Sequence, residues 1–507
     1  MSDVDIRATT ALSGFSLKSI LPGLDLTDGV GRIVYADDQL IVAAQIRLDG
    51  NPFELNIREL FAPKSPYRQR YELKGTLPAS FMAKAGLPSP EPYITGPIGA
   101  TIVYQTQSNG TSDVTGKLDL KAAKLDGALI GWTKATGVDA SLNVGVKLSA
   151  GAKLLSADFD GKGDGLVAKG KLGFAEGGIV QQLSLSQFSL GRSDVAFDWR
   201  RNATGVNVAL RGRSLELGRV RQALKARDEA ATKQPGGAAA KGEGDTKLSV
   251  NLGQVVLEHG TLGALNGQLE MIGGRLASAN LSLGAGMGTA FKVTPGSTGR
   301  TIAVFVPDFG LLLKETGWLD GLVGGDLNFQ GGFDDSTPES KLTGFVKLGP
   351  YRMVKVEPRT DVGSLNSAID GLNRAGNALQ QFDKLDARIV KVGDRVDITK
   401  GRTSGKSIGL TTEGWLDLSN DTARLRGAVV PGFALNNLLS NVPLLGSLLT
   451  GGKDGGLFAF SYKLEGPLAD LKSDVNMMSA ITPGALRELF ASPVTPDSVQ
   501  ESPRATP

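Results

Sequence analysis

Few residues in this chain could carry chemistry, and their spacing argues against most of it. The single histidine, His259 in VVLEHGTLG, falls at an expected strand end. One imidazole cannot build a histidine-ligated metal site, and alone it reads as a turn or surface residue rather than a general base. GRTSGKS, Gly401 to Ser407, resembles a phosphate-binding loop, but only three residues separate Gly401 from Gly405. The cradle needs a longer gap and a following helix, whereas strands are expected on both sides here, so the segment reads as a hairpin turn. DFDGKGDG, Asp158 to Gly165, resembles a calcium loop, yet Lys162 stands where an oxygen ligand belongs and no Glu closes the loop. It reads as a solvated glycine-rich turn. GAGMG from Gly284 lacks the third glycine of a dinucleotide site and is taken as another turn. There is no cysteine, so no thiolate nucleophile, disulfide or cysteine-held metal is available. No catalytic constellation, metal site or cofactor is expected, and the chain reads as a non-enzyme.

One cluster of charge remains. Arg211, Arg213, Arg219, Arg221, Lys225 and Arg227 could meet phosphates or anionic headgroups, although a solvated helix face is the simpler reading. Overall, 55 Lys and Arg oppose 52 Asp and Glu, a net charge of +3, which gives no reason to expect nucleic acid.

The elements that would position any site are strands. Apolar and polar residues alternate strictly from 138 to 148, with Val138, Ala140, Leu142, Val144, Val146 and Leu148 on one side and Asp139, Ser141, Asn143 and Lys147 on the other. The same period recurs at Val114–Leu120, Leu155–Phe159, Val195–Trp199, Val206–Leu210, Leu248–Leu252, Ile302–Val306, Leu327–Phe329, Val396–Ile398, Ile408–Leu410 and Leu457–Leu464. Short strands at such spacing, without helical patterns between them, predict antiparallel sheet. The 68 glycines, with aromatic residues at only 6%, are read as turns and bulges. Helical periods are few: Ser214 to Ala231, running into a mobile Pro/Gly/Ala linker; Leu365 to Phe382, with Leu365, Ile369, Leu372 and Leu379 on one stripe; and a short third at 485–490.

A loose repeat links segments starting at Gly14, Asp308 and Gly432, each an aromatic residue followed by a Leu-rich turn. These marks divide the chain into strands over 1–213, a basic helix and linker over 214–246, strands with an inserted helix over 247–427, a distinct region over 428–490 and a disordered tail over 491–507. In the distinct region, Pro431, Pro443 and three Asn interrupt a Leu-rich run, which excludes an ordinary transmembrane helix. Two readings stay open for Phe433, Leu438, Leu439, Leu444, Leu445, Leu448 and Leu449: contact with a membrane surface or groove end, or a core-packed helical hairpin.

GFALNNLLSNVPLLGSLLTGG, GLFAFSYKLEGPLADLKSDVN and SAITPGALRELF, in that order, resemble the C-terminal end of AsmA-like envelope proteins, in particular the large YhdP- and TamB-type members. The likeness is tight over 428–490, and the preceding strands share the family's texture. It implies an elongated antiparallel β-groove, an open U-shaped sheet with a few short amphipathic helices, along which phospholipid moves between inner and outer membranes in support of outer-membrane biogenesis. The expected partners are phospholipid acyl chains, the membrane surface and envelope proteins. The expected place is the periplasm, tethered to the inner membrane through a segment absent from this chain, since neither a signal peptide at Met1 to Leu12 nor a run of 18 apolar residues is visible. Alternating strands offer acyl chains a dry face, and the residues expected to line it are Val138, Ala140, Leu142, Val144, Val146, Leu148, Val206, Val208, Leu210, Leu248, Val250 and Leu252. Two alternatives need no lipid groove: a structural β-solenoid or adhesin-like envelope protein, and an indirect regulator of outer-membrane protein assembly.

Overall fold

The computed structural model of the chain describes residues 6–21, 24–78, 81, 93–127, 130–220, 244–258, 260–284, 288–297, 299–336, 339–354, 380–405, 408–431, 457–458, 460–468, 471–476 and 480–481. Two compact units divide it, Met1–Gly253 and Gln254–Pro507. The protein is mainly β, and in each unit the strands form an open antiparallel sheet rather than a barrel.

In the first unit each long strand pairs with the next long strand along the chain. The series runs Ala8–Leu21, Leu24–Ala36, Gln39–Leu48, Asn51–Leu60, Gln69–Pro78, Pro97–Thr106, Ser112–Asp119, Ala140–Leu148, Leu154–Gly163, Leu166–Phe174, Val180–Leu190, Ser193–Arg201 and Gly205–Glu216. Tight two-residue turns make this possible. Asp49–Gly50 and Asp164–Gly165 both hold positive φ, the conformation whose twist matches a hairpin's. The second unit repeats the plan from Leu265–Ile272 through Arg275–Leu283, Thr289–Thr294, Thr301–Val306, Leu327–Asp334, Lys341–Leu348, Lys384–Val392, Arg395–Ser404, Ile408–Asp417, Thr422–Pro431 and Phe460–Pro467 to Lys472–Asn476.

Each unit also carries a small three-stranded side sheet. In the first it is Ile94–Thr95, Lys124–Gly127 and Trp132–Lys134; in the second, Leu322–Gly324, Tyr351–Met353 and Gln380–Phe382. A helix, Phe309–Glu315, joins the second, its start capped by Asp308, whose carboxylate accepts from the Leu311 amide at 2.8 Å.

Several local expectations change. Ser214 to Glu216 end a strand, because Ser214 pairs with Asp194 across the ladder, and the expected helix begins only at 217, with residues 221–231 outside the described residues. Gln380–Phe382 are strand, so a helix reaching Phe382 is excluded; Leu365, Ile369, Leu372 and Leu379 lie outside the described residues. Gly14–Leu21 are strand where Asp308 begins a helix, so these two segments do not share a local structure. Asp158–Gly163 and Gly401–Ser404 are strand as well, leaving Asp164–Gly165 as the turn of the first, while Lys406 and Ser407 lie outside the described residues.

Glycine has a second use beyond turns. Gly75, Gly170 and Gly344 lie in strands with a phenylalanine from the adjoining strand against each. A Cβ on Gly75 would meet the Phe53 ring at 2.4 Å, and one on Gly344 the Phe329 ring at 2.3 Å. The rings occupy the space where side chains would stand, so mid-strand glycine is a packing choice here.

Candidate functional site

The register lines up side chains across the sheet, and residues directly opposite share a face. In the first unit one such row runs Leu12, Gly31, Ala44, Leu55, Leu73, Ile102, Gly116, Val144, Phe159, Gly170, Leu185, Phe197 and Leu210. Every member is apolar or glycine. On the other face, the row through Gln45, Glu54, Lys74, Thr101, Lys117, Asn143, Asp160, Lys169 and Gln187 is wholly polar. Its charges pair across strands, as Lys169 does with Asp160 at 3.2 Å, and at such exposed positions the pairs add little stability.

A buried cluster of Leu26, Ala44, Ile46, Leu48, Phe53, Leu77, Phe81 and Ala100 covers part of the N-terminal end of the apolar face, with Leu55, Leu73 and Ile102 of the row packed against it. Every member of the row except Ala44 and Gly116 is half-buried. A margin of Glu59, Gln69, Thr106 and Ser112 borders the face. There the Tyr71 hydroxyl donates to Glu59 Oε1 at 2.7 Å, and burial together with that carboxylate pushes its pKa up to about 12.

No protein-family model matches this chain, and no curated protein does. The site therefore rests on its own geometry.

Of the residues expected to line a dry face, Ala140, Leu142, Val144, Val146 and Leu148 share one face of Ala140–Leu148 and are half-buried, while Ser141, Asn143 and Lys147 are exposed. Val206, Val208 and Leu210 join the same face through their partners Arg201, Trp199 and Phe197, and are likewise half-buried. Val138 does not belong: it precedes the strand and is exposed. Leu248, Val250 and Leu252 occupy Asp245–Val256, where Val250 and Leu252 are buried, Leu252 to 1% exposure, so packing neighbours enclose them. His259, Phe433, Leu438, Leu439, Leu444, Leu445, Leu448, Leu449, Arg221, Lys225 and Arg227 lie outside the described residues. Arg211 and Arg213 are not on a helix; they sit on Gly205–Glu216 and pair with Asp198 and Asp194. Arg219 pairs with Glu216 and donates to the Gly131 carbonyl at 2.8 Å.

The sequence reading missed the first side sheet and the hollow beneath it. That hollow, about 250 Å³, has Leu142, Phe159, Gly161, Leu166 and Ala168 as its floor and Tyr93, Ile94, Leu125, Ile130 and Trp132 as its roof. Trp132 Nε1 donates to the Asp164 carbonyl at 3.1 Å, tying roof to hairpin. Behind it, Lys134 is buried to 1% exposure and its ammonium donates to the carbonyls of Ala123 at 2.7 Å, Ala135 at 2.8 Å and Lys121 at 3.3 Å. All three of its protons are satisfied by backbone, which makes it a structural staple. Strands of two to four residues are too short to show a period, so only the isolated Trp132 in an aromatic-poor chain hinted at this region.

The second unit treats the same face differently. The row Val306, Leu327, Leu348, Leu385, Thr403, Leu410 and Val429 lies partly beneath the helix and side sheet. Leu319, Leu322, Tyr351, Phe382 and Tyr462 fill that space. Tyr351 and Phe382 stack with ring centres 4.9 Å apart, and the Tyr351 hydroxyl meets Thr403 Oγ1 at 2.6 Å. Among the described residues no group of three or more metal-ligating side chains occurs, and no helix is long and apolar enough to cross a membrane.

Proposed function

We propose that this chain is a lipid-carrying envelope protein whose apolar sheet face forms the floor of a groove for phospholipid acyl chains, and that it passes phospholipid between the inner and outer membranes across the periplasm. The observation that carries this reading is the unbroken apolar row from Leu12 to Leu210, half-buried at every member except Ala44 and Gly116. A sheet that only needed a core would bury those side chains under a second layer, since a two-layer arrangement is the usual way to dispose of an apolar face. A continuous dry surface lets an acyl chain slide from strand to strand without crossing a polar residue, and the bordering Glu59, Gln69, Thr106 and Ser112 can keep a headgroup wet. Movement of this kind needs no catalytic group. The C-terminal likeness to AsmA-like envelope proteins points to the same role and to the periplasm.

The filled end of the second unit favours a second reading for that region, a structural β-layer of the solenoid or adhesin type, where side chains and not lipid occupy the face. A photo-crosslinking residue placed at Leu210 or Val144, in protein purified with its native lipid, separates the two. Lipid adducts at those positions, with few at Asn143, are the expected result. Equal labelling at all three, or none, overturns the groove.

A further inference from the structure

We propose that the hollow beneath the first side sheet holds the tail of a single alkyl chain, inserted end-first, with its headgroup left in water outside the mouth. The inference rests on the lipid reading of the apolar face and adds to it a defined station on that face.

Size comes first. An apolar protein cavity of about 150 Å³ stays dry and accepts benzene, so a hollow of about 250 Å³ takes on the order of ten methylene-sized groups. The shape is built by small residues at one place in an otherwise bulky row. Along Leu118, Leu142, Gly161, Ala168 and Phe188, the two small members stand between larger ones and leave the floor low. A Cβ on Gly161 would come no nearer than 3.4 Å to Leu142 Cδ1, an ordinary van der Waals contact, so a side chain can stand there.

The roof cannot simply sink to fill the void. Lys134 anchors it to three carbonyls, and Trp132 is held at Asp164. Walls that face a gap forfeit dispersion contacts, and an alkyl chain restores them. Polar chemistry is confined to a few groups. Among the described residues, Lys162 and Asp126 are the only charged residues on the wall, and Lys162, paired with Ser141, belongs to the polar face of Leu154–Gly163. A tail fits the inside, and its headgroup stays in water.

Trp132 is a reporter inside the site, because bromine on an alkyl chain quenches an indole it touches. The full chain is titrated with decanoic acid brominated at its terminal carbon, and fluorescence is followed. A saturable quench is expected, and Trp132→Phe should lose its Trp132 share while any quench of Trp199 on the open face remains. Filling the floor with Ala168→Leu is expected to weaken binding roughly tenfold or more. Gly161→Val approaches the same space from the neighbouring strand and guards against a folding defect in either variant; both should melt at or above the parent temperature, as cavity-filling changes do. Lipid crosslinking at Leu210 is followed in parallel. If Leu210 still labels but the parent shows no saturable quench, or a quench that both filling variants leave unchanged, the hollow is a packing void and the station is overturned while the groove stands. If labelling at Leu210 also fails, the underlying reading of the face is overturned.

Discussion

The two units use one sheet plan and finish it in opposite ways. In the first, a side sheet roofs a hollow and the face beyond it stays half-buried; in the second, a side sheet and the helix Phe309–Glu315 bring Leu319, Tyr351 and Phe382 into the corresponding space. Backbone topology does not decide between an open and a filled face, since both sheets pair consecutive long strands. Side-chain volume does. Gly161 and Ala168 leave room in the first unit, whereas stacked Tyr351 and Phe382 remove it in the second.

The sharpest way to break this contrast is to place the same charge on both faces. Leu410 is 8% exposed and packed within the second core, so Leu410→Asp buries a carboxylate with no partner and should cost roughly 3 to 5 kcal/mol. Val144 is half-buried, and Val144→Asp can keep its carboxylate in water at a cost of about 1 kcal/mol. Denaturant unfolding should show the first variant largely unfolded and the second folded, with reduced lipid occupancy. Equal losses would mean that the first face is a core like the second.

How much of this contrast the sequence displays depends on the length of each element. Where a strand is long and one-sided, as at Ala140–Leu148, alternation names the face residue by residue. A bulge defeats it: the register slips beside Leu148, so Leu154 pairs with Leu148 and Leu155 is left 49% exposed despite fitting the period. Val138 fits the same alternation and still lies outside the strand, because Gly137 takes positive φ and turns the chain just before it. Elements of two to four residues are too short to show a period, and both side sheets are made of these. Strand formation at Ser214–Glu216 is set by pairing with Ser193–Arg201, a contact between distant residues that outweighs local helical spacing. The open or filled state of each face was therefore illegible, since it is fixed by those short elements.

Lys134 tests whether the roof of the hollow is a separate layer. Replacing it with Met keeps the aliphatic stem and removes the ammonium, which leaves the buried Ala123 carbonyl and the part-buried carbonyls of Ala135 and Lys121 short of a donor. A loss of about 3 kcal/mol is expected, concentrated in Lys124–Gly127 and Trp132–Lys134. Amide exchange should quicken in those strands and stay slow in Leu154–Gly163. Uniform quickening through the first unit would show that roof and sheet fold as one body, as the filled core of the second unit is expected to do.

The smallest effect concerns the hydroxyl in the filled core. Tyr351→Phe keeps the stacking on Phe382 and removes the bond to Thr403, for a cost of about 1 kcal/mol at neutral pH. Burial pushes the Tyr351 phenol from 10.0 up to about 12, with the Thr403 contact pulling weakly the other way. The sign follows. Below pH 10 the phenol is neutral in both the folded and unfolded chain, and its contribution is fully present. Above that point the unfolded chain ionises while the folded one resists until about 12, so stability falls as pH rises through the window. Phenylalanine has nothing to ionise, so the variant, weaker at neutral pH, should lose less stability between pH 10 and 12 than the parent does. Denaturant midpoints taken across that range provide the measure. If parent and variant fall in parallel, water reaches Tyr351, and the second face is as open as the first.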